Sequence, residues 1–198
     1  MKTKHILPHR NKGFSLQELM LGMAIFFILA GFGIPGYVGY VRNGELSNST
    51  TSLFSDMYYA RSEAIKRKEK VTLCRSVDSM ADNPVCGGAN NTWSEGWIVF
   101  VDVDGAANVY DGNDILLKVG APPSDNVQIV SNGNADQYIE YNTDGSLNIN
   151  LVPSVYAVCA DHDGDGALDT NRGREIRITP VGRPEIKVGA IASCTNPV

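Results

Sequence analysis

Histidine is scarce in this 198-residue chain, and its three copies, His5, His9 and His162, do not cluster. A histidine metal triad or nucleophile–base pair has no local source, and the Ser and Asp residues form no hydrolase signature, so catalysis is not expected. Close cysteine pairs are missing too. Cys74, Cys86, Cys159 and Cys194 include no CxxC, which leaves zinc without its usual ligand spacing. Internal repeats and low-complexity linkers are absent. Nor is there a basic excess: the formal charge is −5, and setting aside Lys2, Lys4, Arg10 and Lys12 leaves thirteen basic side chains against twenty-two acidic ones. Such a body repels phosphate at long range, so general nucleic-acid binding is disfavoured.

What is present begins with one apolar run. Phe14 to Ile34 reads FSLQELMLGMAIFFILAGFGI and holds a single charge, Glu18. As a helix it would rise about 30 Å, the thickness of a bilayer's hydrocarbon core. The preceding Lys and Arg residues predict a cytoplasmic N-terminus, which puts the remainder on the far side of the membrane. All four cysteines lie in that remainder, where disulfides persist. Four cysteines allow three connectivities; Cys74–Cys86 with Cys159–Cys194 is favoured because each pair encloses a loop, while the others stay open. A secretory signal peptide would have a shorter apolar core and a small-x-small cleavage site. A plain anchor would leave Glu18 unexplained, since a carboxylate inside a membrane is costly and expects a cationic partner.

The stretch KGFSLQELM (Lys12–Met20) resembles the processing signal of type IV pilins and type II secretion pseudopilins. The resemblance implies cleavage after Gly13 by a prepilin peptidase that also N-methylates Phe14. It implies as well that Glu18 pairs with the α-amino group of a neighbouring subunit and sets axial register. Gln17 replaces the usual Thr before the Glu. Pro35 matches a helix-kinking proline of the family, and proline removes a helix hydrogen bond, so a bend is expected near Ile34–Gly36. The expected organisation is a leader at 1–13, a transmembrane helix at 14–35, a continuing helix at 36–70 and a periplasmic β-rich domain at 71–198. The whole would be a single-pass protein of a bacterial inner membrane.

Leu46, Leu53, Met57, Ala60 and Ala64 recur at helical spacing and predict one buried face on a helix over Tyr37–Lys68. The mixed charges of Ala60–Lys70 read as a solvated helix end. Short β-prone runs follow at Val71–Cys74, Gly96–Asp102, Asp114–Val119, Tyr138–Asn142, Ser146–Leu151, Val155–Cys159 and Arg174–Pro180, punctuated by turn residues. Asp144–Gly145 suits a primed hairpin turn. The fold class is α+β: a type IV pilin fold, with a long N-terminal helix on an antiparallel β-rich domain.

ARSEAIKR, VTLC, GWIVFVD and the late block C…REIRI…GR…C resemble the GspH/FimT branch of minor pilins and pseudopilins. The cysteines are commoner in its FimT- and FimU-type pilus members, which favours a minor pilin over a GspH-like secretion pseudopilin. Other pilins, the peptidase and the inner membrane are the implied partners. FimT proteins that take up DNA carry a GRxR motif; here the stretch is Gly182-Arg183-Pro184-Glu185, with an acidic residue in place of the second Arg. Arg174, Arg177 and Arg183 remain the candidate DNA contacts, but Arg174 and Arg177 would face opposite sides of a strand. DNA is therefore disfavoured.

No cofactor is expected, with calcium the one candidate. Asp161, Asp163, Asp165 and Asp169 occupy positions 1, 3, 5 and 9 around Gly166, as in a calcium loop, but position 12 is Arg172 where a bidentate Glu belongs. A solvated acidic turn is the simpler reading. Asp102, Asp104, Asp111 and Asp114 read as a turn-rich loop.

Overall fold

A computed structural model of the protein describes residues 13–87, 92–105, 109–131, 137–148, 154–191 and 193–195; the side chains of residues 32–36 lie outside that description. Among the described residues one helix, α1 (Leu16–Arg67), precedes eight strands. These are β1 (Val71–Arg75), β2 (Trp97–Val101), β3 (Ile115–Gly120), β4 (Val127–Ser131), β5 (Tyr138–Tyr141), β6 (Ser154–Ala160), β7 (Arg174–Ile178) and β8 (Pro184–Val188). The chain divides into two compact units, one ending at Val38 and one running from Gly39 to Val198. The bend expected near Ile34–Gly36 falls among residues 32–36, outside the described side chains.

In the second unit, all pairings within the two four-stranded sheets are antiparallel, in the orders β3-β2-β1-β5 and β4-β6-β7-β8. The helix residues Leu46, Leu53, Met57, Ala60 and Ala64 are fully buried, as their spacing predicts. They share one core with Val71, Leu73, Val99, Val101, Ile139 and Tyr141 of the first sheet and with Ile129, Tyr156, Val158 and Ile176 of the second. At about 25 cal/mol per Å² of apolar surface removed from water, this shared core is the main source of stability. Lys66 and Arg67 lie in the helix's last turn, and Lys68, at φ 61°, ends it in the left-handed conformation that closes many helices.

The disulfides pair as favoured, Cys74–Cys86 and Cys159–Cys194. Each anchors a small apolar cluster on the face of its sheet turned away from the shared core. Cys74 and Cys86 lie with Ile98, Phe100 and Tyr110; Cys159 and Cys194 lie with Ala157, Leu168 and Ile191. Strands β1, β2 and β6 are consequently buried on both faces. That explains why WIVFV and SVYAVCA are continuous apolar runs rather than alternating ones.

Several expectations need correction. Strands β4 and β8 were not expected. Of the expected strand Ser146–Leu151, only a bridge of Leu147 to Tyr141 forms among the described residues, and 149–151 lie outside them. The Asp144–Gly145 turn is not of the primed type, because of the two only Gly145 has a positive φ, at 78°. Gly145 N donates to Asn142 O (2.8 Å) and Asn142 N to Ser146 O (2.9 Å), a three-residue loop with a left-handed glycine in the bulge position.

The helix end at Ala60–Lys70 is only partly solvated. Arg61 Nε donates to Gly145 O (2.9 Å) and its Nη2 to Val181 O (3.0 Å), so one side chain ties together two turns. Gly182 lies in the second of these turns at φ 77°, and a Cβ there would come within 2.0 Å of Gly145 O. Gly182→Ala should therefore cost about 2 kcal/mol, from left-handed strain plus the clash. Chemical denaturation would show it, with exposed Arg183→Ala as a control expected to stay near the parent.

Candidate functional site

Three regions could carry function. The first is the start of α1. Ser15 O accepts hydrogen bonds from Glu18 N (3.0 Å) and Leu19 N (3.1 Å), which opens the helix with Glu18 in its first turn, where the helix dipole favours a carboxylate. Every large apolar side chain from Phe14 to Leu29 is half or more exposed. A helix apolar on all sides is suited to burial in lipid or among other helices. Among the described residues no helix is long and apolar enough to cross a membrane. Gly13 and Phe14 are both exposed ahead of the helix.

The second region holds the basic residues of the C-terminal strands. Strand alternation puts Arg174 and Arg177 on opposite faces of β7. Arg177 is held by the carboxylate of neighbouring Glu175, which raises the guanidinium pKa further. Arg183 lies 3.9 Å from Glu185. Two of the three candidate DNA contacts thus face a carboxylate within reach, and the three do not form one patch.

The third region comprises two acidic loops. Among the described residues, carboxylate oxygens of Asp161, Asp163 and Asp169 lie within 4.8 Å of one another, without Asp165. Asp165 instead accepts a hydrogen bond from Ala167 N (2.7 Å). Asp161 accepts from Gly164 N (2.6 Å) and Gly166 N (3.1 Å), and Arg42 of α1 reaches its backbone O (2.9 Å) and side chain (3.5 Å). The Gly164 and Gly166 amides and Arg42 together hold the Asp161 carboxyl below its ordinary range, although burial opposes them. Asp169 caps His162 N (2.9 Å), and the buried His162 ring places Nδ1 3.2 Å from Ala160 O. Protein groups already satisfy this loop's key carboxylates, as in a fastened turn.

The other loop joins β2 and β3. Carboxylate oxygens of Asp102, Asp104 and Asp114 also lie within 4.8 Å of one another. Asp114 accepts from Val103 N (3.0 Å) and Asp111 N (3.1 Å), and Asp111 from Asn113 N (2.7 Å), the turn role expected of these residues. Asp102 is different. It is buried, and burial is the main reason its carboxyl is pushed above the ordinary range.

Residues that the sequence did not single out hold the helix in place. Asp56 is buried on α1 and accepts a hydrogen bond from Trp97 Nε1 (2.8 Å) and a close contact from Lys118. The signal was present: Asp56 stands three residues after Leu53 and four before Ala60, on the apolar stripe itself. Arg61 and Arg42 gave no such signal, because their partners lie more than eighty residues away.

The family model for Type II transport protein GspH matches residues 49–182. No curated protein matches the chain. Two crystal forms of the type IV minor pilin FimU from Pseudomonas aeruginosa resemble it in fold. The P21 form is 18% identical, covers 78% of this chain and 98% of its own, and superposes with a TM-score of 0.57. The P65 form is 17% identical, covers 75% and 98%, and gives 0.51.

Proposed function

The chain belongs to the family of the type II transport protein GspH, and we propose that it works as a minor pilin in the initiating or tip complex of a type IV pilus. One observation carries this reading: an apolar helical segment exposed on all sides belongs to the same helix, α1, that packs into a disulfide-bonded two-sheet domain. The segment needs lipid before assembly, which a membrane supplies, and other helices after it, which a pilus supplies.

In this account residues 1–13 are a leader removed after Gly13 by a prepilin peptidase, which then methylates Phe14. Residues 14–35 anchor the chain in the bacterial inner membrane, 36–70 continue the helix, and 71–198 form the periplasmic domain. Glu18 pairs with the α-amino group of a neighbouring pilin and fixes axial register. The work is assembly and presentation of a surface rather than catalysis. DNA is not proposed as a ligand, because Arg177 and Arg183 face Glu175 and Glu185.

Glu18→Ala should lower recovery in sheared pili by at least about tenfold, the factor that loss of about 1.4 kcal/mol per contact gives. The thermal melt of the β-domain should not change. Normal incorporation would contradict the register role. Recovery of the processed protein only with secretion-complex components would assign it instead to a type II secretion pseudopilus.

A further inference from the structure

The β2–β3 loop contains a feature that turn formation does not explain. Asp102 is only 6% exposed, and its buried Oδ2 has no hydrogen-bond partner among the described residues. Its Oδ1 accepts from Gly105 N (2.6 Å), so half of the carboxylate is satisfied and half is not. A buried ionised carboxylate without a partner is costly, and protein structures rarely keep one without a use for it.

The surroundings deepen the problem. The carboxylates of Asp114, Glu140 and Asp104 all act on Asp102 with the same sign of charge. Lys70, whose backbone O accepts the Asp102 amide at 3.1 Å, turns its ammonium to Glu140 at 2.7 Å. Its positive charge is thus engaged first by Glu140 and reaches Asp102 only as a weaker, longer-range attraction. The contrast with the Asp161 loop lies in the cation: Arg42 reaches that carboxylate directly, whereas backbone amides serve both loops.

We propose that Asp102, Asp104 and Asp114 hold a calcium ion. Oxygen donors alone suit a hard cation, and a loop with one buried and two more accessible carboxylates fits calcium's irregular coordination better than magnesium's strict octahedron. Asp102 Oδ2 gains its missing partner, and the ion offsets repulsion among three carboxylates. Waters complete the coordination on the open side.

The test is equilibrium dialysis of radioactive calcium against the full-length protein, purified in detergent and stripped with chelator. One ion per chain is expected, with a Kd of about 0.1–1 mM, as in extracellular calcium modules. Asp104→Asn, at an exposed position, should weaken binding at least about tenfold by removing a ligand charge. Asp163→Asn, in the other acidic loop, should leave binding unchanged. Asp102→Asn gives an independent readout: it should raise the melting temperature of the calcium-free protein and abolish any further rise on adding calcium. No binding at about 5 mM calcium, well above that affinity range, would overturn the proposal. So would binding that Asp104→Asn leaves intact, or magnesium competing as well as calcium.

Discussion

Replacing both Cys159 and Cys194 with Ser should lower the stability of the β-domain by about 4 kcal/mol, the chain-entropy value for a loop closed over 35 residues. The same change at Cys74 and Cys86, separated by 12 residues, should cost about 3 kcal/mol on that scale. Position reinforces the ranking. Cys159 lies in β6, an inner strand of its sheet, and the bond brings Cys194 onto the outer face beside Ala157, with Leu168 and Ile191 packed against them. Without the bond, that cover is held only by weaker contacts. The Cys159–Cys194 loss should appear as a fall in melting temperature of about 10 °C. A fall of only a degree or two would mean that the bond contributes little to holding the tail.

The second large effect is expected from Asp56→Ala, at about 3 kcal/mol. Asp56 is 1% exposed and serves two donors from β2 and β3: the Trp97 indole N–H at 2.8 Å and the Lys118 ammonium. Removing the carboxylate leaves the indole N–H buried without an acceptor, and that unpaired group carries most of the penalty. Lys118 is about half exposed and can turn to solvent, so its loss adds less. Asp56→Asn keeps an acceptor for Trp97 and should cost only about 1 kcal/mol. A double-mutant cycle with Lys118→Ala separates the two contacts. If Asp56→Ala unfolds at the parent's denaturant midpoint, the contact has no structural weight.

Much of this architecture was legible because local and tertiary demands coincide. The stripe from Leu46 to Ala64 is one helix face in the sequence and one buried face in the structure. The runs WIVFV and VYAVC are apolar on both sides of each strand, and VTLC nearly so apart from Thr72, because the disulfide clusters cover their outer faces. Strands β4 and β8 were missed for a physical reason. VQIVS is as long as β1, β2 and β7, but Gln128 and Ser131 interrupt its apolar run, and PEIKV begins with proline and is largely exposed at a sheet edge. The sites divide in the same way. The cysteine pairing could be favoured from loop closure alone, whereas the Asp102 cluster could not be told from a turn. What distinguishes it is the burial of one oxygen, which depends on how β2 packs against the rest of the domain.

The strand order has a consequence for the domain's indivisibility. The chain lays down β1, β2 and β3 in one sheet, crosses to place β4 in the other, returns for β5, and only then builds β6, β7 and β8. Neither sheet is a contiguous stretch of polypeptide, so the first is incomplete until the second has begun. A chain stopped after β4 would have an open edge on β1 and a β4 held only by the Thr92–Val130 bridge and the Trp93 N–Ile129 O hydrogen bond, which is an invitation to pair with other chains. Such interleaving rules out a stable half-domain. The domain must therefore close as a unit, with late strands completing what early ones began.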